Sequence, residues 1–218
     1  MQVKPHLHSF VKAIIIAWFS CSNFATAKTV IIDAGHGGKD KGAYWYGISE
    51  KTLTLDVAKR VETLLKKKGI AVAMTRKSDR FVSIKDRAYL ANKYPGSIFV
   101  SIHFNAHTNS SVKGIETFYI SPKGKELAKS IQNRLARRIN TNDRGSKKYH
   151  YAVLTKTKGV AALVECGFIS NRWEGARCSS NWFRNILAQA LDDLCPVTST
   201  DLFQCADSGC RCFQIVTS

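Results

Sequence analysis

The sequence predicts an α/β protein built as a single folded domain, on three observations. Short apolar runs alternate along the chain with segments of helical period. Several of those runs stop at glycine-rich or polar turns, where an open α/β sheet presents side chains to a ligand. Finally, 218 residues, 44% of them hydrophobic and only four of them proline, suit one packed domain and exclude a largely disordered chain.

The first run, Thr29 to Asp33, reads as a strand that stops at the turn Gly35-His36-Gly37-Gly38. A helix is expected from Ser49 to Lys68, with Leu53, Val57, Val61, Leu64 and Leu65 at helical spacing. Ser49 is its capping residue, lysines fill its last turn and Gly69 stops it. Ile70 to Thr75 is a second strand, Ser83 to Lys93 a helix closed by Pro95, and Ser97 to Ile102 a third strand. Beyond a polar loop, Gly114 to Ile120 reads as a strand and Lys125 to Asn140 as a helix with Leu127, Ile131, Leu135 and Ile139 inward. Its opposite side carries Lys125, Lys129, Arg134, Arg137 and Arg138, a solvated face whose single sign also suits an anionic partner. Tyr151 to Leu154 and Val160 to Glu165 are expected as strands, and Asn181 to Leu194 as the last helix. From Cys195 onward periodicity is lost, which reads as an appended tail over residues 195–218.

A formal charge of +17 calls for a polyanionic partner: nucleic acid, an anionic membrane surface or the acidic bacterial cell wall. Residues 1–27 narrow that choice. Lys4 and Lys12 with no acid, the apolar run Ala13 to Phe19, and Ala25-Thr26-Ala27 form the pattern of a signal peptide. The run is short of the ~20 residues that span a bilayer, which argues against stable membrane insertion. Export to a periplasmic or extracellular space disfavours nucleic acid and favours the wall. Of seven cysteines, Cys166, Cys178, Cys195, Cys205, Cys210 and Cys212 lie beyond that segment. Six thiols in an oxidising compartment permit disulfides without fixing their pairing. The spacing of Cys205, Cys210 and Cys212 lacks the paired knuckles of a structural zinc site, so a disulfide-stapled tail is the better reading.

Four residues carry the chemistry. His36 lies in the glycine-rich turn, Glu50 opens the first long helix, and His103 and Glu165 each follow an apolar strand. Singly, each has an ordinary explanation: a loop histidine, an acid favoured by the helix dipole, a hydrogen-bonded core histidine, or a glutamate salt-bridged to an arginine. Together, at the ends of sheet strands, they can converge on one crevice. Two imidazoles and a carboxylate suit zinc and leave a position for water or substrate. A glutamate buried without a cation has a raised pKa, as a general base requires.

The run Ile31-Ile32-Asp33-Ala34-Gly35-His36-Gly37-Gly38-Lys39-Asp40-Lys41-Gly42-Ala43, then Glu50, Thr75-Arg76 with Asp79, Ser101-Ile102-His103-Phe104-Asn105-Ala106, and Val164-Glu165-Cys166-Gly167-Phe168-Ile169-Ser170-Asn171 resemble, in order, the zinc-dependent N-acetylmuramoyl-L-alanine amidases of the amidase_3 family. The likeness spans Thr29 to Leu194. It implies a twisted mixed β-sheet flanked by helices, similar to phosphorylase/hydrolase-like α/β proteins. It implies Zn2+ bound by His36, Glu50 and His103, with Glu165 as catalytic acid/base and peptidoglycan as substrate. Arg76, Arg87, Asn92, Asn105 and Arg144 match further family positions, expected to give structural or substrate-contacting support. The expected organisation is a signal peptide over 1–27, a catalytic domain over 28–194 and a cysteine-rich tail over 195–218. Some division amidases of the family insert a blocking helix after the second histidine; the short Asn105 to Glu116 interval predicts none here. Two other readings stay open at this level: a zinc peptidase cutting within the stem peptide, and a non-catalytic basic module that coats the wall.

Overall fold

The computed structural model describes residues 29–194. The expected signal peptide and cysteine-rich tail, with Cys195, Cys205, Cys210 and Cys212, lie outside the described residues. Six strands form one mixed sheet in the order β4-β1-β5-β8-β6-β7, from β1 (Val30–Ala34), β4 (Val72–Met74), β5 (Ile98–Asn105), β6 (Ile115–Tyr119), β7 (Asp143–Lys148) and β8 (Val160–Phe168). β4, β1, β5 and β8 run parallel, β6 runs antiparallel to β8, and β7 runs parallel to β6. A separate two-stranded hairpin of β2 (Tyr44–Trp45) and β3 (Ile48–Ser49) leads into the first helix.

The alternation of side chains along each strand builds two apolar layers. Val30, Ile32, Val100, Ile102, Ala162 and Val164 point to one face. There they pack on α1 (Glu50–Lys67), α3 (Pro122–Arg138) and α6 (Asn181–Leu191) through Val57, Val61, Ile131, Leu135, Phe183 and Leu187. Ile31, Phe99, Ala161, Leu163 and Phe118 point to the other face and meet α2 (Ile84–Asn92) and α4 (Ala152–Lys156) through Ala91, Val153 and Leu154. This second layer is smaller. At the C-terminal ends of β1, β5 and β8 the same alternation places Asp33, Ser101, His103 and Glu165 on the second face in place of apolar residues.

Several expectations are corrected. Tyr151 to Leu154 is not a strand: Tyr151 stands at the N-cap of α4, whose Val153 and Leu154 fill the second layer. A short apolar run does not by itself distinguish a strand from a buried helical turn. Ser49 precedes α1, but its hydroxyl makes no capping bond and is buried without a partner among the described residues. Strand β5 runs past its apolar stretch, so His103 lies inside the strand rather than beyond it, and β8 continues past Glu165 to Phe168. Strand β7 and helix α5 (Arg172–Cys178) were not expected at all. The segment 106–114 between β5 and β6 contains no helix. Among the described residues Cys166 and Cys178 are buried and form no disulfide.

Candidate active site

The turn after β1 is held by two buried arginines. Arg76 donates to the carbonyls of Ala34 and Gly35, both at 2.9 Å, and to that of Lys51 at 2.8 Å. Arg87 donates to Asp33 at 2.6 Å and to the carbonyls of Ala34 and His36, both at 2.7 Å. Asp33 also accepts from Thr75 at 2.7 Å and Ser101 at 2.6 Å. With three consecutive carbonyls fixed, His36 takes a left-handed backbone (φ 59°) rare for a residue with a side chain. Two glycines let the site close. A Cβ at Gly35 would lie 2.4 Å from the His103 ring, and one at Gly42 would lie 2.5 Å from the Glu50 carboxylate and 2.6 Å from the His36 ring.

Glu50, the first residue of α1, reaches the centre of this cradle. Its Oε1 lies 2.9 Å from His103 Nδ1, 3.1 Å from His36 Nε2 and 3.1 Å from the Phe104 amide, and its Oε2 accepts from the Ala43 amide at 2.8 Å. The two imidazoles meet edge to face, 4.8 Å between centroids. Burial alone would raise the Glu50 carboxyl, but hydrogen bonds and charge from His103 and His36 outweigh it and hold the group below the usual carboxylate range. Asp40 lies 2.9 Å from His36 Nδ1 through either carboxylate oxygen. A proton shared on that side leaves Nε2 free to face Glu50. Burial opposes protonation of His36, yet Glu50 and then Asp40 raise its pKa overall.

One donor atom from each of His36, Glu50 and His103 lies within 4.8 Å of the others. The fit to a divalent ion rests on this donor set. Two imidazole nitrogens and a carboxylate oxygen converge, and His36 and Glu50 have further partners that fix their orientation.

Glu165 stands apart from this cluster but next to it. On β8 it pairs in register with His103 of β5 on one side and with Glu116 of β6 on the other. A β-bulge follows immediately, between His103 and Asn105, a distortion frequent beside active sites. Glu165 is buried and its Oε2 has no hydrogen-bond partner among the described residues. No cation pairs with it among the described residues, so the salt-bridge reading of this glutamate fails. Burial first, then the charges of Glu50 and Glu116, push its carboxyl well above the ordinary range.

Sequence reasoning missed three neighbours. Glu116 is buried, and it is matched by Asn105 Nδ2 at 2.8 Å, Arg144 Nε at 3.3 Å and the Lys147 ammonium. Tyr151 is half-buried, and its phenol is pushed up to about 12 by burial and then by Glu165, so it stays protonated. Asp40, in the glycine-rich stretch after β1, carries no signal of its own in the sequence, and its contact with His36 emerges only in the fold. Among the supporting positions, Arg76 and Arg87 hold the His36 turn, and Asn105 and Arg144 hold Glu116. Asn92 instead ties α2 to the loop after α4, through the Lys156 carbonyl at 2.9 Å and the Lys158 amide at 2.8 Å.

A mixed α/β sheet carrying a two-histidine, one-carboxylate cluster beside an unpaired buried glutamic acid has the apparatus of a metal-assisted hydrolase. The particular family follows from comparison: residues 30–193 match the Amidase_3 model, described as N-acetylmuramoyl-L-alanine amidase, and the chain belongs to that family. Among solved structures it is similar to the N-acetylmuramoyl-L-alanine amidase AmiC2 of Nostoc punctiforme, with 36% identity, a TM-score of 0.73, and coverage of 76% of this chain and 93% of that one. The catalytic domain of CwlV from Bacillus (Paenibacillus) polymyxa var. colistinus is alike at 36% identity and TM-score 0.73, covering 76% and 94%. Among curated relatives, N-acetylmuramoyl-L-alanine amidase LytC of Bacillus subtilis is 37% identical over 175 residues, 78% of this chain. The matched region spans 35% of LytC and 58% of the probable cell wall amidase LytH of Staphylococcus epidermidis.

Proposed function

We propose that this chain hydrolyses the amide bond between N-acetylmuramic acid and the L-alanine of the peptidoglycan stem peptide, using a zinc ion held by His36, Glu50 and His103 and proton transfer by Glu165. The observation that carries this reading is the buried, unpaired Glu165 carboxyl in register with His103, beside three converging metal donors. A bound zinc ion supplies Lewis acidity, polarising the amide carbonyl and making a nearby water more acidic.

In its ionised form Glu165, kept out of ion pairs, takes the proton from the attacking water as the water oxygen bonds to the carbonyl carbon. As the carbon–nitrogen bond breaks, the same carboxyl returns that proton to the alanine nitrogen, since an amine leaves an amide poorly unless protonated. The products are a lactyl carboxylate on the glycan and a peptide with a free amino terminus. Asp40, Arg76 and Arg87 act through His36 by holding its ring and backbone.

The remaining organisation belongs to the same proposal. Residues 1–27 direct export to a periplasmic or extracellular space, residues 28–194 are the catalytic domain, and residues 195–218 are an appended cysteine-rich tail. Among the described residues no helix is long and apolar enough to cross a membrane. Exposed Lys125, Lys129, Arg137 and Arg138 on α3 give the wall's anionic polymers a surface to meet.

The test is a digest of purified peptidoglycan by the full chain, with zinc and with a chelator, read by mass spectrometry. Metal-dependent release of intact stem peptides beginning with L-alanine is expected. Fragments cut inside the peptide would replace this reading with a stem-peptide peptidase, and chelator-insensitive binding without cleavage would replace it with a wall-coating module.

A further inference from the structure

The β2–β3 hairpin is a costly piece of local structure. Its turn is Tyr46-Gly47, with both residues in the left-handed region at φ 52° and 79°. Such a two-residue turn favours asparagine or glycine first, and a bulky side chain there is strained. Tyr46 recovers little of this by burial, since it is 57% exposed, and Tyr44 beside it is 62% exposed. Only Trp45 and Ile48 turn inward, against the first apolar layer, with the Trp45 and Tyr46 rings 6.2 Å apart. Packing therefore explains Trp45 and leaves Tyr44 and Tyr46 without a structural role.

The hairpin is joined directly to the metal cluster. Ala43 and Glu50 exchange bonds at its base, from the Ala43 amide to Glu50 Oε2 at 2.8 Å and from the Glu50 amide to the Ala43 carbonyl at 2.9 Å. Tyr44 pairs across from Ser49, the residue before Glu50. Four residues of chain keep Tyr46 within about 14 Å of Glu50, a span that a polymeric substrate held at the cluster can cover.

Charge selects which part of that polymer it meets. Residues 43–49 include no ionisable acid or base except the tyrosine phenols. On the second face of the sheet, by contrast, Arg144 and Lys147 gather around Glu116 next to Glu165, and Lys148 is exposed. The cationic wall suits the carboxylates of a stem peptide. The neutral aromatic wall suits pyranose rings, whose apolar C–H faces pack on aromatic side chains.

We infer that the hairpin tip, Tyr46 with Tyr44, is a glycan subsite that stacks on N-acetylhexosamine rings of the strand flanking the scissile bond. This rests on the amidase reading for its substrate, but it is tested without turnover. Peptide-free glycan strands are titrated by calorimetry into the full chain and into Tyr46→Asn, Tyr46→Phe and Tyr44→Ala. Asparagine accepts the left-handed turn more readily than tyrosine, so Tyr46→Asn should unfold at the same temperature as wild type or higher. Its affinity for glycan should fall about 3- to 10-fold, the range of one aromatic contact, while Tyr46→Phe keeps wild-type affinity.

Equal glycan binding by wild type and Tyr46→Asn, or no binding by either, would overturn the subsite. So would a lower unfolding temperature for Tyr46→Asn, which would make Tyr46 a packing residue. Anionic lipid vesicles form a control arm: Tyr46-dependent binding to vesicles but not to glycan would assign the tip to a membrane surface. If tyrosine-dependent glycan binding appears while the wild-type digest releases no L-alanyl peptides, the subsite stands and the amidase reading falls. Release of those peptides with tyrosine-independent glycan binding would keep the amidase reading and remove the subsite.

Discussion

Glu165 and His103 stand opposite one another on adjacent parallel strands, one carboxyl whose Oε2 has no partner among the described residues and one imidazole 2.9 Å from the Glu50 carboxylate. Under the proposed function, neighbouring positions on one sheet face separate two duties, holding a cation and moving a proton. The pairing depends on β5 and β8 both continuing past their apolar stretches, because a strand ending at Ile102 or Val164 would fix neither side chain.

The raised Glu165 carboxyl gives a pH-dependent stability with a definite sign. The folded protein keeps a proton that the unfolded chain releases near its ordinary value of 4.5. Stability therefore falls as pH rises above about 4.5, until the folded carboxyl itself ionises. In zinc-free protein, Glu165→Gln should unfold at a higher temperature than wild type at pH 7, with the gap closing toward pH ~4. Thermal melts in chelator across that range check this, and a gap that widened toward acid would contradict it.

Glu50 binds both imidazoles and two backbone amides, so truncation has two consequences. Glu50→Ala should lose zinc, measured as metal per chain by mass spectrometry. It should also lose stability without metal, because the Ala43 and Phe104 amides lose their acceptor, at about 1–3 kcal/mol for each one left buried. Urea unfolding of the zinc-free proteins measures the second effect.

Asp40 touches His36 on the side away from Glu50. Asp40→Asn should still bind zinc, but about 10- to 100-fold more weakly, as when an outer partner of a ligating histidine is changed. Competition against a chromophoric chelator reads this directly, and unchanged affinity would remove Asp40 from the metal site.

Arg87 and Asp33 form a buried ion pair at 2.6 Å, and Arg87 also fixes the carbonyls of Ala34 and His36. Arg87→Ala strands a buried carboxylate and should cost roughly 3–5 kcal/mol in urea unfolding. Arg87→Lys should recover only part of this, because one ammonium cannot reproduce the planar fork that serves three acceptors.

Much of this was legible in the sequence, for identifiable reasons. Strands β1, β5 and β8 are central and covered on both faces, so they appear as unbroken apolar runs, and α1 and α3 show helical spacing because one side of each is buried. His36, Glu50, His103 and Glu165 stood out because each interrupts or borders such a pattern. Strand β7, Asp143–Lys148, is an edge strand rich in charge and mostly exposed, so it carries no apolar signal. Helix α5 is short, and its start is marked only by Asn171 accepting from Glu174. Glu116 sits among Ile115, Thr117 and Phe118, and its importance comes from pairing across to Glu165, a relation between strands far apart in sequence. Tyr151 gained its place only when its segment proved to be the start of a helix.

The central claim is that metal holding and proton transfer reside in different residues, and the direct measurement is zinc content and peptidoglycan turnover in the same preparations of Glu165→Gln and His103→Ala. Under that division of roles, Glu165→Gln retains a full complement of zinc while turnover falls by at least about 100-fold, and His103→Ala loses both. Near-normal turnover by Glu165→Gln, or zinc retained in full by His103→Ala, would contradict it.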